Sequence, residues 1–336
     1  MIRYGKPSGP LLSHKQAFFT DNDRFVAEQR RLAAIYTAQP TRKRCKCCDG
    51  AIGAADFVKD GIGYAFCARC GHMNGVHEDT AAFCAALYTE DAGKQYAKHY
   101  SAGDREAYAK RVRDIYVPKA DFLLDALGAR ETAAKLSYAD FGAGAGYFVS
   151  ALRSRGLNAR GYEVSATMAG LAKEMSEPVT VHVLDDTATL AESVDADVIS
   201  LIGVLEHLPD PRGVLDAIRR NRRIRYLYLS VPLFSPSVFI EMAFPKVMHR
   251  QLSGGHTHLY TEQSLGWVRK EFGFDLDSEW WFGTDLPDMY RSILVSLPES
   301  LRERWTNTFA PSIDAMQLAL DQRHQSSEVH QLLRKA

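Results

Sequence analysis

Tyr138-Ala139-Asp140-Phe141-Gly142-Ala143-Gly144-Ala145-Gly146 is the stretch that decides the fold. Four residues of strand character run directly into a turn with glycine at every second position, and a helical pattern follows to about residue 156. Glycine lets the backbone approach a ligand closely, and the helix start presents free N–H groups to it. Any tight strand-to-helix turn favours glycine, so the surrounding pattern has to carry the argument further.

From Leu136 onwards, short apolar runs alternate with helical segments, the signature of a parallel sheet with crossover helices. Strands are expected near 137–142, 158–163, 179–184, 196–202 and 224–231, with helices near 146–156, 165–175 and 211–220. The runs near 273–282 and 289–297 are separated by a few residues that include Gly283 and Pro287. No crossover helix fits in that gap, so these two runs are expected to pair as an antiparallel hairpin. The expected fold is therefore α/β, a seven-stranded Rossmann-like sheet whose last strand is antiparallel.

At the end of the second strand, Gly161-Tyr162-Glu163 places a carboxylate 21 residues after Gly142. An acid there can accept hydrogen bonds from both hydroxyls of a ribose. A dinucleotide fingerprint would have its third glycine at position 147, where this chain has Tyr147. The hairpin at the sheet edge also argues against a nicotinamide dehydrogenase.

The 336 residues are 46% hydrophobic and 24% charged, enough for one large domain with an appendage. The 41 basic and 41 acidic residues cancel, so no global field draws nucleic acid or an anionic membrane. A small-molecule or glycan acceptor is the expected partner, and a homodimer is a further option. The apolar run from Ala196 to Leu205 is far short of a membrane span. Gly5, Lys6, Pro7, Ser8, Gly9 and Pro10 interrupt any secretion signal, so a cytoplasmic location is expected.

Cys45 and Cys48, then Cys67 and Cys70, form two C-x-x-C pairs separated by 18 residues, the spacing of a four-cysteine structural zinc site. Asp49, Gly50 and Gly71 follow the pairs and suit tight knuckles whose N–H groups face the sulfurs. Cys47 lies inside the first pair, and Cys84 reads as a buried thiol. Four thiolates leave no open coordination position, so this metal is expected to hold structure. The organisation reads as an N-terminal arm and helix (1–44), a zinc ribbon (45–79) and a helical connector (80–128). The cofactor-binding domain (129–298) and C-terminal helices (299–336) follow. Trp305, Phe309, Ile313, Met316 and Leu320 at helical spacing are expected to pack on a core or dimer surface.

Asp140 to Gly146, Glu163, and the fourth-strand segment Asp197-Val198-Ile199-Ser200-Leu201-Ile202-Gly203-Val204-Leu205-Glu206-His207-Leu208 together resemble the class I S-adenosylmethionine-dependent methyltransferases. The likeness extends over roughly 100–298. It implies that Gly142, Ala143, Gly144 and Gly146 pass under the methionine part of S-adenosylmethionine. It further implies that Asp140 supports the turn and that Glu163 holds the ribose. Asp185 or Asp186 would border the adenine, and Gly203 and Val204 would line the reacting methyl. The ribbon, the tyrosine-rich connector with Tyr88, Tyr96 and Tyr100, and the glycine motif in that order look like bacterial sugar and surface-polysaccharide methyltransferases.

Residues after the fourth and fifth strands face the acceptor. His207 is the first of them, with Glu206 beside it, and a histidine can take a proton from an attacking hydroxyl near neutral pH. The long connection from Pro232 to Tyr260 reads as a substrate-covering segment. Near its end, Gly254-Gly255-His256-Thr257-His258-Leu259-Tyr260 resembles the His-Glu-His-Leu element of deoxysugar C-methyltransferases, with Thr257 in place of the acid. That departure weakens carbon methylation and leaves oxygen methylation open. The expected base is His207 or His258, with His256 and Glu206 orienting or binding substrate.

Glu206, His207 and one of His256 or His258 also imitate three of the divalent-ion ligands of small-RNA 2′-O-methyltransferases. Trp280, Trp281 and Phe282 are candidates to stack on a sugar face, and Tyr100, Tyr108 and Arg111 to close over the cofactor. Two further readings stand beside the sugar enzyme. One is an RNA methyltransferase, suggested by Arg42, Lys43, Arg44 and Lys46. The other is a non-catalytic ribbon module on a cofactor-binding domain.

Overall fold

The computed structural model describes residues 1–14, 17–85, 87, 104–128, 133–183, 186–252 and 256–336. Tyr88, Tyr96, Tyr100, Asp185, Gly254 and Gly255 lie outside the described residues. The strands are β1 (Ile2–Tyr4), β2 (Phe57–Lys59), β3 (Ile62–Phe66), β4 (Met73–Gly75), β5 (Ser137–Phe141), β6 (Asn158–Glu163), β7 (Val179–Val181), β8 (Val198–Ile202), β9 (Tyr226–Pro232), β10 (His258–Leu259), β11 (Phe274–Phe282) and β12 (Glu328–Lys335). They form an eight-stranded sheet in the order β1-β11-β12-β9-β8-β5-β6-β7 and a four-stranded sheet in the order β10-β4-β3-β2. Among the described residues, no helix is long and apolar enough to cross a membrane.

The large sheet is parallel except for β12, which lies antiparallel between β9 and β11. Helices Tyr147–Arg153, Ala166–Glu174 and Pro211–Arg220 fill the expected crossovers. The core follows from the apolar runs: Phe141, Ile199, Leu201, Leu227 and Leu229 are almost fully buried.

Two expectations fail at the edge of this sheet. The run 289–297 is not a strand but part of helix Asp285–Ser296, which has Asp285 and Asp288 in its first turn. Acidic residues there suit the positive end of the helix. Leu286 and Tyr290 face the small core that Ile313, Trp305, Phe309, Met316 and Leu320 complete on the C-terminal helices. The antiparallel partner of β11 comes instead from Glu328–Lys335, so the segment 299–336 is not wholly helical and supplies a central strand.

The N-terminal arm begins with a strand that the sequence reading did not anticipate. Ile2–Tyr4 pairs in parallel with Glu279, Trp280 and Trp281 and adds an eighth strand to the seven expected. Gly5 continues this register through its N–H to the Trp281 carbonyl at 3.0 Å.

Residues 57–75 form the ribbon hairpins beside helix Asn22–Thr37. The 80–128 connector contains helices Ala81–Ala85, Arg105–Arg111 and Val117–Leu127, the last two joined by a wider π-helical turn over Val112–Tyr116. Removing Glu328–Ala336 takes away the strand that joins β9 to β11. Loss of a cooperative thermal transition is the expected outcome, measured by circular dichroism; an unchanged transition would show that β12 is dispensable.

Candidate functional site

The glycine turn leaves β5 at its carboxyl end. Gly142 (φ 68°), Gly144 (φ 55°) and Gly146 (φ 77°) all adopt left-handed conformations that disfavour a side chain. A Cβ on Gly142 would come within 2.5 Å of Val204 Cγ2, so the turn packs directly against the segment that follows β8. Glu163 accepts the N–H of Gly144 at 2.7 Å on one oxygen and that of Ser165 at 2.8 Å on the other. The candidate ribose acid thus sits under the glycine turn, and each of its oxygens keeps a further acceptor direction.

Asp140 is buried beneath the turn and accepts the Ser200 hydroxyl at 2.6 Å. Burial raises its pKa from 3.8 to about 7, against the help of that hydrogen bond. Asp186 is exposed immediately before helix Thr187–Ser193. From the other side, Tyr108 donates its hydroxyl to the Ala145 carbonyl at 3.1 Å and stacks on Tyr147 with ring centres 4.7 Å apart. Arg111 lies over the same ring.

Beyond Gly203 and Val204, the chain forms a 3-10 turn over Leu205–His207. His207 Nε2 is 3.7 Å from Glu206 Oε1, and the His207 and His256 rings are 5.1 Å apart. One ligand-capable atom from each of Glu206, His207 and His256 lies within 4.8 Å of the others. Glu206 is 3% exposed, its Oε2 has no hydrogen-bond partner among the described residues, and burial pushes its pKa up to about 8. Burial pushes His256 down to about 4, so it is neutral at pH 7.

His258 does not join this group as an exposed base. It is 2% exposed, its Nδ1 is 2.8 Å from His72 Nε2, and its ring packs on Tyr260. Thr257 is likewise buried and donates its hydroxyl to Asp79.

Trp280, Trp281 and Phe282 do not form an open sugar platform. Trp280 donates its indole N–H to the Gly5 carbonyl at 2.9 Å, Trp281 stacks on His324 at 4.0 Å, and all three residues are at most 4% exposed.

The four cysteines of the ribbon converge. Cys45 and Cys70 sulfurs are 3.7 Å apart and those of Cys48 and Cys67 are 3.4 Å apart. Tetrahedral zinc with bonds of ~2.3 Å requires sulfur separations near ~3.8 Å, so the set fits such an ion. Gly50 N–H and the Asn74 side-chain amide point at Cys48 and Cys45. Cys47 turns away towards the Ser264 carbonyl, and Cys84 is buried elsewhere.

Arg42 and Lys46 lie against Asp79 at 2.8 and 2.7 Å with side chains 7% and 3% exposed. Arg44 pairs with Asp49 at 2.8 Å. Three of the four charges suggested for RNA are thus matched within the ribbon.

A family profile described as a methyltransferase domain matches residues 108–279, just over half of the chain. The chain belongs to this methyltransferase family. Its Rossmann-like sheet makes it a class I, S-adenosylmethionine-dependent methyltransferase. No curated protein matches the sequence significantly. Among solved structures, the magnesium protoporphyrin IX methyltransferase of Synechocystis PCC 6803 with bound SAH is 13% identical, with a TM-score of 0.48 over 76% of this chain and 99% of that one. The geranyl diphosphate C-methyltransferase of Streptomyces coelicolor A3(2), solved with Mg2+, geranyl diphosphate and S-adenosyl-L-homocysteine, is 14% identical. Its TM-score is 0.41 over 70% of this chain and 88% of that one.

Sequence reasoning about this methyltransferase missed His72, Lys6, Lys119 and Glu328. None belongs to a motif, and each reaches the site region through long-range pairing.

Asp140 generates a pH prediction. Its folded pKa is raised from 3.8 to about 7, so the folded state binds the proton more tightly than the unfolded chain. This contribution favours the fold below the unfolded pKa and is lost as pH rises through about 7. Urea melts from pH 4 to 8 should show the decline, to which Asp140 contributes on the order of a few kcal/mol alongside other buried carboxyls such as Glu206 and Glu241, and Asp140→Asn should reduce it by about that amount. Parallel wild-type and variant profiles would refute the assignment.

Proposed function

We propose that the chain transfers the methyl group of S-adenosylmethionine to a hydroxyl of a sugar, nucleotide sugar or glycan terminus, with His207 removing the proton. The convergence of Glu206, His207 and His256 beside Val204 and the glycine turn carries this reading. Gly142, Ala143, Gly144 and Gly146 pass under the methionine part, Glu163 holds the ribose, Asp185 or Asp186 borders the adenine, and Gly203 and Val204 flank the methyl.

The bound cofactor supplies an electrophilic methyl on a sulfonium. The chain's own residues must then align an oxygen with it and take up the hydroxyl proton. His207 is partly open, with 23% of its side chain exposed, and so can meet an acceptor. Glu206 at 3.7 Å would stabilise the imidazolium once ionised, with its own proton, which burial favours, released to solvent. Neutral His256 adds a ring wall without opposing that charge. The internal pairing of Arg42, Arg44 and Lys46 accounts for most of the basic run that suggested RNA.

A second reading rests on the same cluster, because its three ligand atoms lie close enough to hold a divalent cation that would fix the acceptor oxygen. His207→Ala should lower turnover by about 10²–10⁴-fold while SAH binding, followed by calorimetry, stays unchanged. Passing the wild type over a chelating resin separates the readings: turnover persists if His207 is the base and vanishes if a cation is required. Full activity of His207→Ala would exclude both.

Structural zinc at Cys45, Cys48, Cys67 and Cys70 completes the proposal. Elemental analysis should find one zinc per chain, lost in Cys67→Ser together with a lower Tm, since metal binding and folding are coupled in such modules. A metal-free wild type with the same Tm would contradict it.

A further inference from the structure

Two ammonium groups stand at the carboxyl edge of the sheet without the hydrogen bonds they need. Because β12 is antiparallel, its first residue, Glu328, lies opposite Pro232 at the end of β9 and Phe282 at the end of β11. This is the edge from which Glu206 and His207 follow β8. Lys119, on helix Val117–Leu127, brings its ammonium to 3.7 Å from Glu328 Oε1, with 10% of its side chain exposed. Lys6 lies over the Phe282 and Trp280 rings, with its ammonium 4.9 and 5.9 Å from their centres.

Among the described residues, neither ammonium makes a hydrogen bond. Glu328 is already engaged by His330 Nε2 at 2.8 Å. One carboxylate therefore faces two cations, and a third of its own side chain is open to solvent.

The position of Lys6 is built rather than incidental. β1 pairs onto β11, Gly5 donates to Trp281, and the Trp280 indole donates to Gly5, so the backbone of the residue before Lys6 is held from both sides. Burying a lysine beside a second lysine costs free energy, only partly offset by the aromatic faces beneath it: burial first, and then Lys119, lower its pKa to about 8. It remains charged at pH 7. An anion placed between the two lysines would supply acceptors to both and relieve their repulsion.

We propose that Lys6 and Lys119 form an anion-binding subsite for the acceptor, which carries a phosphate or carboxylate group at a distance from the hydroxyl that is methylated. The proposal rests on the methyl-transfer reading and deepens it. β12 is two strands from β8, about 10 Å at the usual strand spacing. That separation suits a sugar ring whose hydroxyl reaches His207 while an anionic substituent reaches the lysines.

The test is calorimetric titration of the full chain, in the presence of SAH, with glucose 1-phosphate, glucuronate and neutral methyl glucoside. The anions should bind, the glucoside at least 10-fold more weakly, and Lys6→Met and Lys119→Met should each weaken the anions at least 10-fold. Lys6→Arg should retain them. The two arms, phosphate and carboxylate, show which anion is preferred.

Failure of the wild type to bind either anion would overturn the subsite, as would equal affinity in Lys6→Met and Lys119→Met or equal affinity for the neutral glucoside. An equal loss of SAH binding in the lysine variants would assign these residues to the cofactor and also overturn it. Lys-dependent anion binding by a wild type that does not bind SAH would uphold the subsite and refute the methyl-transfer reading.

Discussion

The contact between His72 and His258 ties the ribbon to the acceptor side of the large domain. His72 follows the second cysteine pair, and His258 follows the segment that carries His256. Their rings meet at 2.8 Å where β10 pairs with β4, and both are buried. The insertion therefore does not find its place on the large sheet alone. Its last strand belongs to the ribbon's sheet, while the Leu233 and Tyr260 bridge closes its base on the large one. A module with no open metal position can thus matter for catalysis by fixing where His256 stands.

Asp79 strengthens the same junction. It receives Arg42, Lys46 and the Thr257 hydroxyl, so one buried carboxylate joins the entry to the ribbon, the first cysteine knuckle and the insertion. Removing one partner from such a group leaves another buried charge uncompensated, which is far more costly than losing an exposed pair. Arg42 and Lys46 of the basic run answer this demand, and the chain's balanced charge fits an acceptor recognised by local groups.

The sheet's parallel half was legible because β8 and β9 are largely apolar runs and the glycine turn fixes β5 and the helix after it. The glycine turn and the paired cysteines were legible because spacing alone restricts what they can form. β12 was hidden by its own composition. Glu328, His330 and Gln331 are polar, yet His330 and Gln331 are fully buried, satisfied by Tyr228 at 2.7 Å and Glu279 at 2.8 Å. No hydrophobic periodicity announces a strand whose core positions are filled by matched polar groups. The run 289–297 misled for the opposite reason: its short apolar stretch is equally compatible with one face of a helix. His256 and His258 stand two residues apart and would share a face of one regular strand, but β10 begins only at His258, and the first ring meets His207 while the second meets His72. Sequence placed both in one segment but could not say which faced the acceptor.

Charge is arranged unequally along the carboxyl edge of the sheet. Near β8, burial makes the Glu206 carboxyl and the His256 ring favour their neutral forms, so neither ring nor carboxyl adds a like charge beside His207. Near β12 and β11, the Lys119 ammonium lies 3.7 Å from Glu328 and that of Lys6 lies over the Phe282 ring. An acceptor with one anionic end would be drawn to the second region and so present its other end to the first. Orientation of that kind needs no contact with the reacting oxygen, and it turns a weakly nucleophilic hydroxyl into one held in line by groups remote from the methyl. The polar strand β12 and the added strand β1 then have a common physical rationale. β1 anchors the chain just before Lys6, and β12 supplies Glu328, which Lys119 meets at 3.7 Å.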